Sequence, residues 1–149
     1  MTGCLERADA MEGLLSTDRS REAARALTES AVALCEELLL AGHAQRALAL
    51  LRSLREARDD APSDMVLRME VAHVAVLNGV GASEQALALA RGLEVKSADV
   101  LKDLPECADR LSVLKGGSLL LLNRLDEAER QLNGAREQLL KKPDSAVTV

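Results

Sequence analysis

Apolar residues recur along this chain at steps of three and four, and Gly, Asn, Pro and Ser-Asp clusters break the rhythm into segments. A first helix is expected over about 3 to 16, with Leu5, Ala8, Met11, Leu14 and Leu15 as its apolar stripe. A second, over about 19 to 41, carries Ala23, Ala26, Leu27, Ala31, Leu34, Leu38 and Ala41 and stops at Gly42. The pattern resumes over about 44 to 59, and Asp59-Asp60-Ala61-Pro62 closes that hairpin. Helices over about 64 to 78, 84 to 93, 105 to 122 and 125 to 141 bring the total to about seven, with Ser97 to Leu104 as one short extra helix. Ser63 and Ser83 read as N-caps, Pro105 suits the first turn of a helix, and Lys141-Lys142-Pro143 ends the last one. No segment alternates with the period of a strand, and Ile is absent. The class is therefore all-α, built from antiparallel helical hairpins.

Three turns share one layout. Gly42, Gly81 and Asn123, all residue types that tolerate a left-handed backbone, each stand five positions before a small residue: Ala47, Ala86 and Ala128. Four and seven positions beyond those alanines come Leu51 and Leu54, Ala90 and Leu93, and Leu132 and Ala135. Such a stripe lies on one helix face, and the small residue at its head lets a partner helix approach closely.

The layout resembles the tetratricopeptide repeat. Cys35, Gly42, Ala47 and Pro62 match its pattern in a first copy. Ala72 or Val74, Gly79 or Gly81, Ala86 and Leu93 match in a second, with an apparent two-residue insertion in the turn. Gly116, Asn123, Leu125, Ala128, Leu132, Ala135 and Pro143 match in a third. Two departures stand out: aliphatic residues replace the large aromatic positions of that family, and the copies are spaced 39 and 42 residues apart, where the family has about 34. The residues by themselves also fit an irregular helical bundle rich in Ala and Leu. On the repeat reading the chain is a single helical-repeat domain over 1–144, a short tetratricopeptide-like solenoid with an N-terminal cap (1–27), repeats at 28–62, 63–96 and 97–143, and a loose tail at 145–149.

The resemblance implies that the first helix of each hairpin lines a concave groove for another protein. It places there Val32, Glu36 and Leu39, then Met69, His73 and Val76, then Arg110, Val113, Gly117 and Leu120. Members that clamp an acidic peptide terminus use Lys, Arg and Asn at such positions, and only Arg110 offers that chemistry, so the expected occupant is an amphipathic helix or apolar segment. Small proteins similar to this family include cytoplasmic chaperones of type III secretion subunits, which hold a partner helix in such a groove. The segment 105 to 122 is apolar nearly all round, so it needs cover from 97–104 or from a partner.

Composition narrows the function. Phe, Tyr and Trp are all absent, which excludes base-stacking nucleic-acid readers. The net charge of −5, with basic residues scattered among acidic ones, argues against a phosphate-tracking surface. The longest charge-free run, Val71 to Ser83, falls below the roughly 20 residues of a membrane span, and no leader is evident, so a cytoplasmic protein is expected. Cys4, Cys35 and Cys107 show no CxxC pairing, and His43 and His73 stand in different hairpins without a second His at helical spacing. No metal, cofactor or catalytic set is therefore expected. Gly116-Gly117-Ser118 lacks the surroundings of a phosphate loop and reads as close helix packing. The expected function is a non-enzymatic interaction module, a chaperone or adaptor. The alternative is a structural subunit or homodimer whose apolar faces stay buried in an assembly.

Overall fold

The computed structural model describes residues 3–17, 21–57 and 62–140. Among them are eight helices and no strand: α1 (Cys4–Thr17), α2 (Arg21–Leu40), α3 (Ala44–Ala57), α4 (Ser63–Gly79), α5 (Ser83–Lys96), α6 (Ala98–Asp103), α7 (Pro105–Leu121) and α8 (Leu125–Leu140). Adjacent helices pack as antiparallel pairs. Packing is confined to near neighbours along the chain: α1 on α2 and α3, α2 on α3 and α4, α3 on α4, α4 on α5 and α7, α5 on α7, and α7 on α8. The short α6 sits against α4, α5 and α7. It is the extra helix anticipated over 97–104, and it lays Val100, Leu101 and Leu104 on the core around α7.

Three hairpin turns close in the same way. Gly42, Gly81 and Asn123 have φ of 83°, 85° and 61°, the left-handed conformation for which Gly pays no steric penalty and Asn little. The following N–H donates back five residues in each: His43 to the Leu38 carbonyl at 2.7 Å, Ala82 to Leu77 at 2.8 Å and Arg124 to Leu119 at 2.9 Å. The turn residue's own N–H reaches the Leu39, Asn78 and Leu120 carbonyls at 3.1, 3.2 and 3.0 Å. This paired closure is the Schellman motif, and in each hairpin the next helix starts two residues later. Ala47, Ala86 and Ala128 are then fully buried.

The core has two main parts. One joins α1, α2, α3 and α4 through Ala8, Leu15, Leu38, Leu50, Leu54 and Val76. The other joins α4, α5 and α7 through Val71, Val74, Ala90, Leu93 and Leu111. Ion pairs tie the rims, with Arg46 reaching Asp9 and Glu12 of α1 at 2.6 and 2.8 Å, and Lys115 reaching Glu94 of α5 at 2.8 Å. A polar pair crosses from α4 to α7. Ser118 Oγ donates to Asn78 Oδ1 at 2.8 Å, and Asn78 Nδ2 donates to the Leu114 carbonyl at 3.2 Å.

Several expectations require correction. Leu5 and Leu14 are exposed, because the apolar face of α1 is set by Ala8, Met11 and Leu15. Ser63 and Ser83 are the first residues of their helices, not caps; Pro62 and Ala82 stand before them, with no side-chain cap bond. α4 does end at Asn78-Gly79, but Gly81 follows its last residue by two positions, as Gly42 and Asn123 follow α2 and α7, so that turn carries no insertion. The expected ends at Lys141-Lys142-Pro143 and the tail at 145–149 lie outside the described residues.

Gly79 and Gly116 mark close approaches. A Cβ at Gly116 would stand 2.5 Å from Leu132 Cδ2 and 2.6 Å from its Cγ. Gly116→Val is expected to destabilise the chain by about 1–3 kcal/mol through overpacking of α7 against α8. Adding Leu132→Ala should recover part of that loss, read by chemical denaturation followed by circular dichroism; equal destabilisation with and without Leu132 would refute the contact as its cause.

Candidate interaction groove

α2, α4 and α7 lie side by side and run in the same direction, with α4 as the floor. The floor positions are Met65, Arg68, Ala72, Ala75 and Gly79, a helical stripe whose side chains shrink towards its C-terminal end. That shrinkage makes the hollow. One cleft, about 330 Å³, lies among Val32, Ala33, Met65, Ala72, Cys107 and their charged neighbours Glu29, Arg68 and Glu106. A second, about 450 Å³, lies among Leu39, Leu40, Ala44, Ala75, Gly79 and Leu114. Thr28 to Leu40 brackets both along the α2 wall, roughly 18 Å at the rise of an α-helix, or about three turns.

Glu36 and Arg110 border both clefts. Arg110 Nη2 on α7 meets Glu36 Oε1 on α2 at 3.2 Å. No Cα of α2 lies within 8 Å of one in α7, so this ion pair reaches across the floor helix and bars the groove at its middle. Its side chains are 47% and 44% exposed. A pair so open to water contributes at most about 1 kcal/mol. On the rim, Arg68 meets Glu106 at 3.0 Å and Arg25 meets Asp64 at 2.9 Å. The Arg25 guanidinium holds the Asp64 carboxyl below the usual carboxylate range.

The expected groove residues fall into three groups. Val32, Glu36, Leu39 and Arg110 all border the clefts. Met69 and Val76 are instead buried in the core against α2 and α3, and His73 lines a separate cleft with Leu48, Leu51 and Arg55 of α3. Val113 and Leu120 are exposed on α7, outside the lining of both clefts. The error on α4 has a physical source: nine of its residues are buried apolar side chains, so hydrophobic period alone cannot give its rotation. The signal that finds the floor is the small-residue series Ala72, Ala75 and Gly79, where close packing and open space both require a missing side chain.

His73 Nδ1 lies 3.0 Å from Arg55 Nη1. A guanidinium only donates, so Nδ1 accepts and the imidazole is neutral. Burial pushes the His73 pKa down, and the positive charge of Arg55 adds to it. Burial likewise raises the Cys35 thiol to about 12, with its Sγ 3.7 Å from the Ala47 carbonyl, and raises Cys107; neither is an activated nucleophile. Among the described residues no three His, Cys, Asp or Glu side chains converge as metal ligands, and no helix is long and apolar enough to cross a membrane.

No family model, no curated protein and no solved structure matches the chain.

Two measurements follow from the titratable groups. Because the folded pKa of His73 is depressed, the unfolded chain binds the extra proton, and this residue's contribution to stability falls as pH drops through the unfolded imidazole pKa towards the folded one. Proton NMR of the imidazole should place the His73 midpoint below its ordinary value and move it upward in Arg55→Gln; an unmoved midpoint would remove Arg55 as a cause. In thiol labelling at mild alkaline pH, Cys35 should react only at the rate of global unfolding, and fast labelling of native Cys35 would contradict its burial.

Proposed function

We propose that the chain is a non-enzymatic interaction module, a chaperone or adaptor, that holds the apolar face of a partner's amphipathic helix along the groove between α2 and α7. The observation that carries this reading is the second cleft. Leu39, Leu40, Ala75, Gly79 and Leu114 present an open apolar trough, and Leu40 is 91% exposed at the end of a helix whose other leucines are buried or half-buried. Together the two clefts run about three turns along α2, a length that suits a helix anchored through residues one turn apart. The three Schellman-closed hairpins with a buried alanine five residues on support the tetratricopeptide-like part of the reading. Apart from Ala44 at the start of α3, the second helix of each hairpin contributes nothing to the lining of the two clefts, which fits a peptide-holding stack.

A second reading, a structural subunit or homodimer, is favoured by Leu120, Leu121 and Leu125, exposed around the α7–α8 turn, and by Val113, exposed two turns earlier on α7. Permanent burial of that face would give stable self-association or assembly.

Capture from the native source separates the two when the bait is compared with Ala33→Arg plus Leu40→Asp. Both positions are exposed on the α2 wall, so helicity should be unchanged, while a groove-bound partner should be retained at least about tenfold less. A partner retained equally by both baits would overturn the groove reading, and sedimentation of the bait alone as a dimer would favour the second.

A further inference from the structure

We infer that the helix held in this groove is apolar at both ends of its buried face and carries one acidic and one basic residue at its middle, the acid aimed at Arg110 and the base at Glu36. The inference rests on the groove reading above and adds the chemistry of the partner to it. The Glu36–Arg110 pair stands between the two clefts and borders both. An occupant long enough to use both clefts must cover that pair.

Covering it removes the water that now solvates nearly half of each side chain. A wholly apolar occupant would leave a carboxylate and a guanidinium desolvated with only each other, an arrangement in which the lost hydration outweighs the attraction. An occupant that brings one opposite charge to each wall keeps both groups multiply hydrogen-bonded in an alternating network. The surroundings supply no substitute. Arg68 and Glu106 in the first cleft are already paired at 3.0 Å, Glu29 there is a second carboxylate on the α2 wall and brings Glu36 no positive charge, and the second cleft is otherwise apolar.

The placement also imposes direction. Glu36 is on the α2 wall and Arg110 on the α7 wall, so the occupant must turn its base towards α2 and its acid towards α7. The reversed order puts like charges together and is selected against.

The test uses a display library of helical peptides about 14 residues long, enough for the trough and its ends, with one face randomised. It is selected against the full chain, against Glu36→Arg with Arg110→Glu, and against Glu36→Gln with Arg110→Gln. These side chains are exposed enough that the folds should survive, which circular dichroism checks. Peptides enriched on the native chain should carry a central acid–base pair between apolar anchors, and the swapped chain should enrich the opposite order. The best native-chain peptide should bind the swapped chain at least tenfold more weakly, and the double-Gln chain should show no charge preference. Enrichment of uniformly apolar faces, or of the same charge order on the native and swapped chains, would overturn the inference while leaving the groove reading intact. Failure to enrich helical peptides on any of the three chains would remove the groove reading and the inference with it.

Discussion

Everything in this stack depends on how the chain reverses between paired helices. A left-handed residue at Gly42, Gly81 or Asn123 brings two orphan carbonyls of the helix just ended into hydrogen bonds, and the next helix starts two residues later in each case. The reversal is useful only if the two helices can then come close. A fully buried alanine one turn into each second helix makes this possible, and Gly116 extends the same close contact between α7 and α8. With no aromatic side chain anywhere in the chain, short interhelical distances are what allow Leu, Val and Ala to fill the interior without voids.

The same economy of side-chain volume produces the groove. Where α4 faces its neighbours α3 and α5 it carries Leu67, Val74, Val76 and Leu77, but along its open side the residues dwindle to Ala72, Ala75 and Gly79. Gly79 has a second task, since a Cβ there would lie 2.6 Å from Leu39 Cδ2 and 3.3 Å from the Ala44 Cβ. One absent side chain thus lets the first hairpin seat against α4 and deepens the hollow beside it. The two walls are then far enough apart that only long charged side chains span the gap.

Local rules made most of the fold legible in the sequence. The turns and the stripes headed by Ala47, Ala86 and Ala128 depend on contacts within one hairpin, and reading them needs only residue type and spacing. Part of the walls was also within reach: Arg110 follows from its repeat position on a helix that is apolar nearly all round, while α2 has a polar side that fixes the rotation of Val32 and Glu36. α4 has almost none. Met69, His73 and Val76 were assigned to its groove face by repeat position, while its real rotation is set by tertiary packing on both flanks and by the Asn78–Ser118 bond. The serine caps failed for a related reason: Ser83 is buried inside the first turn of α5, where the repeated turn, not a cap, decides the start.

The bonded amide of Asn78 has a chemical consequence. An asparagine followed by glycine is the dipeptide in which the side-chain carbonyl is most readily attacked by the next backbone nitrogen, losing ammonia and leaving aspartate or its isomer. Here that dipeptide is held in the last turn of a helix, with its amide nitrogen occupied by the Leu114 carbonyl and its oxygen by Ser118. The packed stack therefore shields the Asn78-Gly79 bond, whereas the chain's other Asn-Gly pair, Asn133-Gly134, stands exposed on α8. A molecule in which α4 has frayed loses that shelter, and the carboxylate formed at position 78 would face the Leu114 carbonyl with no proton to offer it, converting a reversible opening into permanent ageing of the α4–α7 seam.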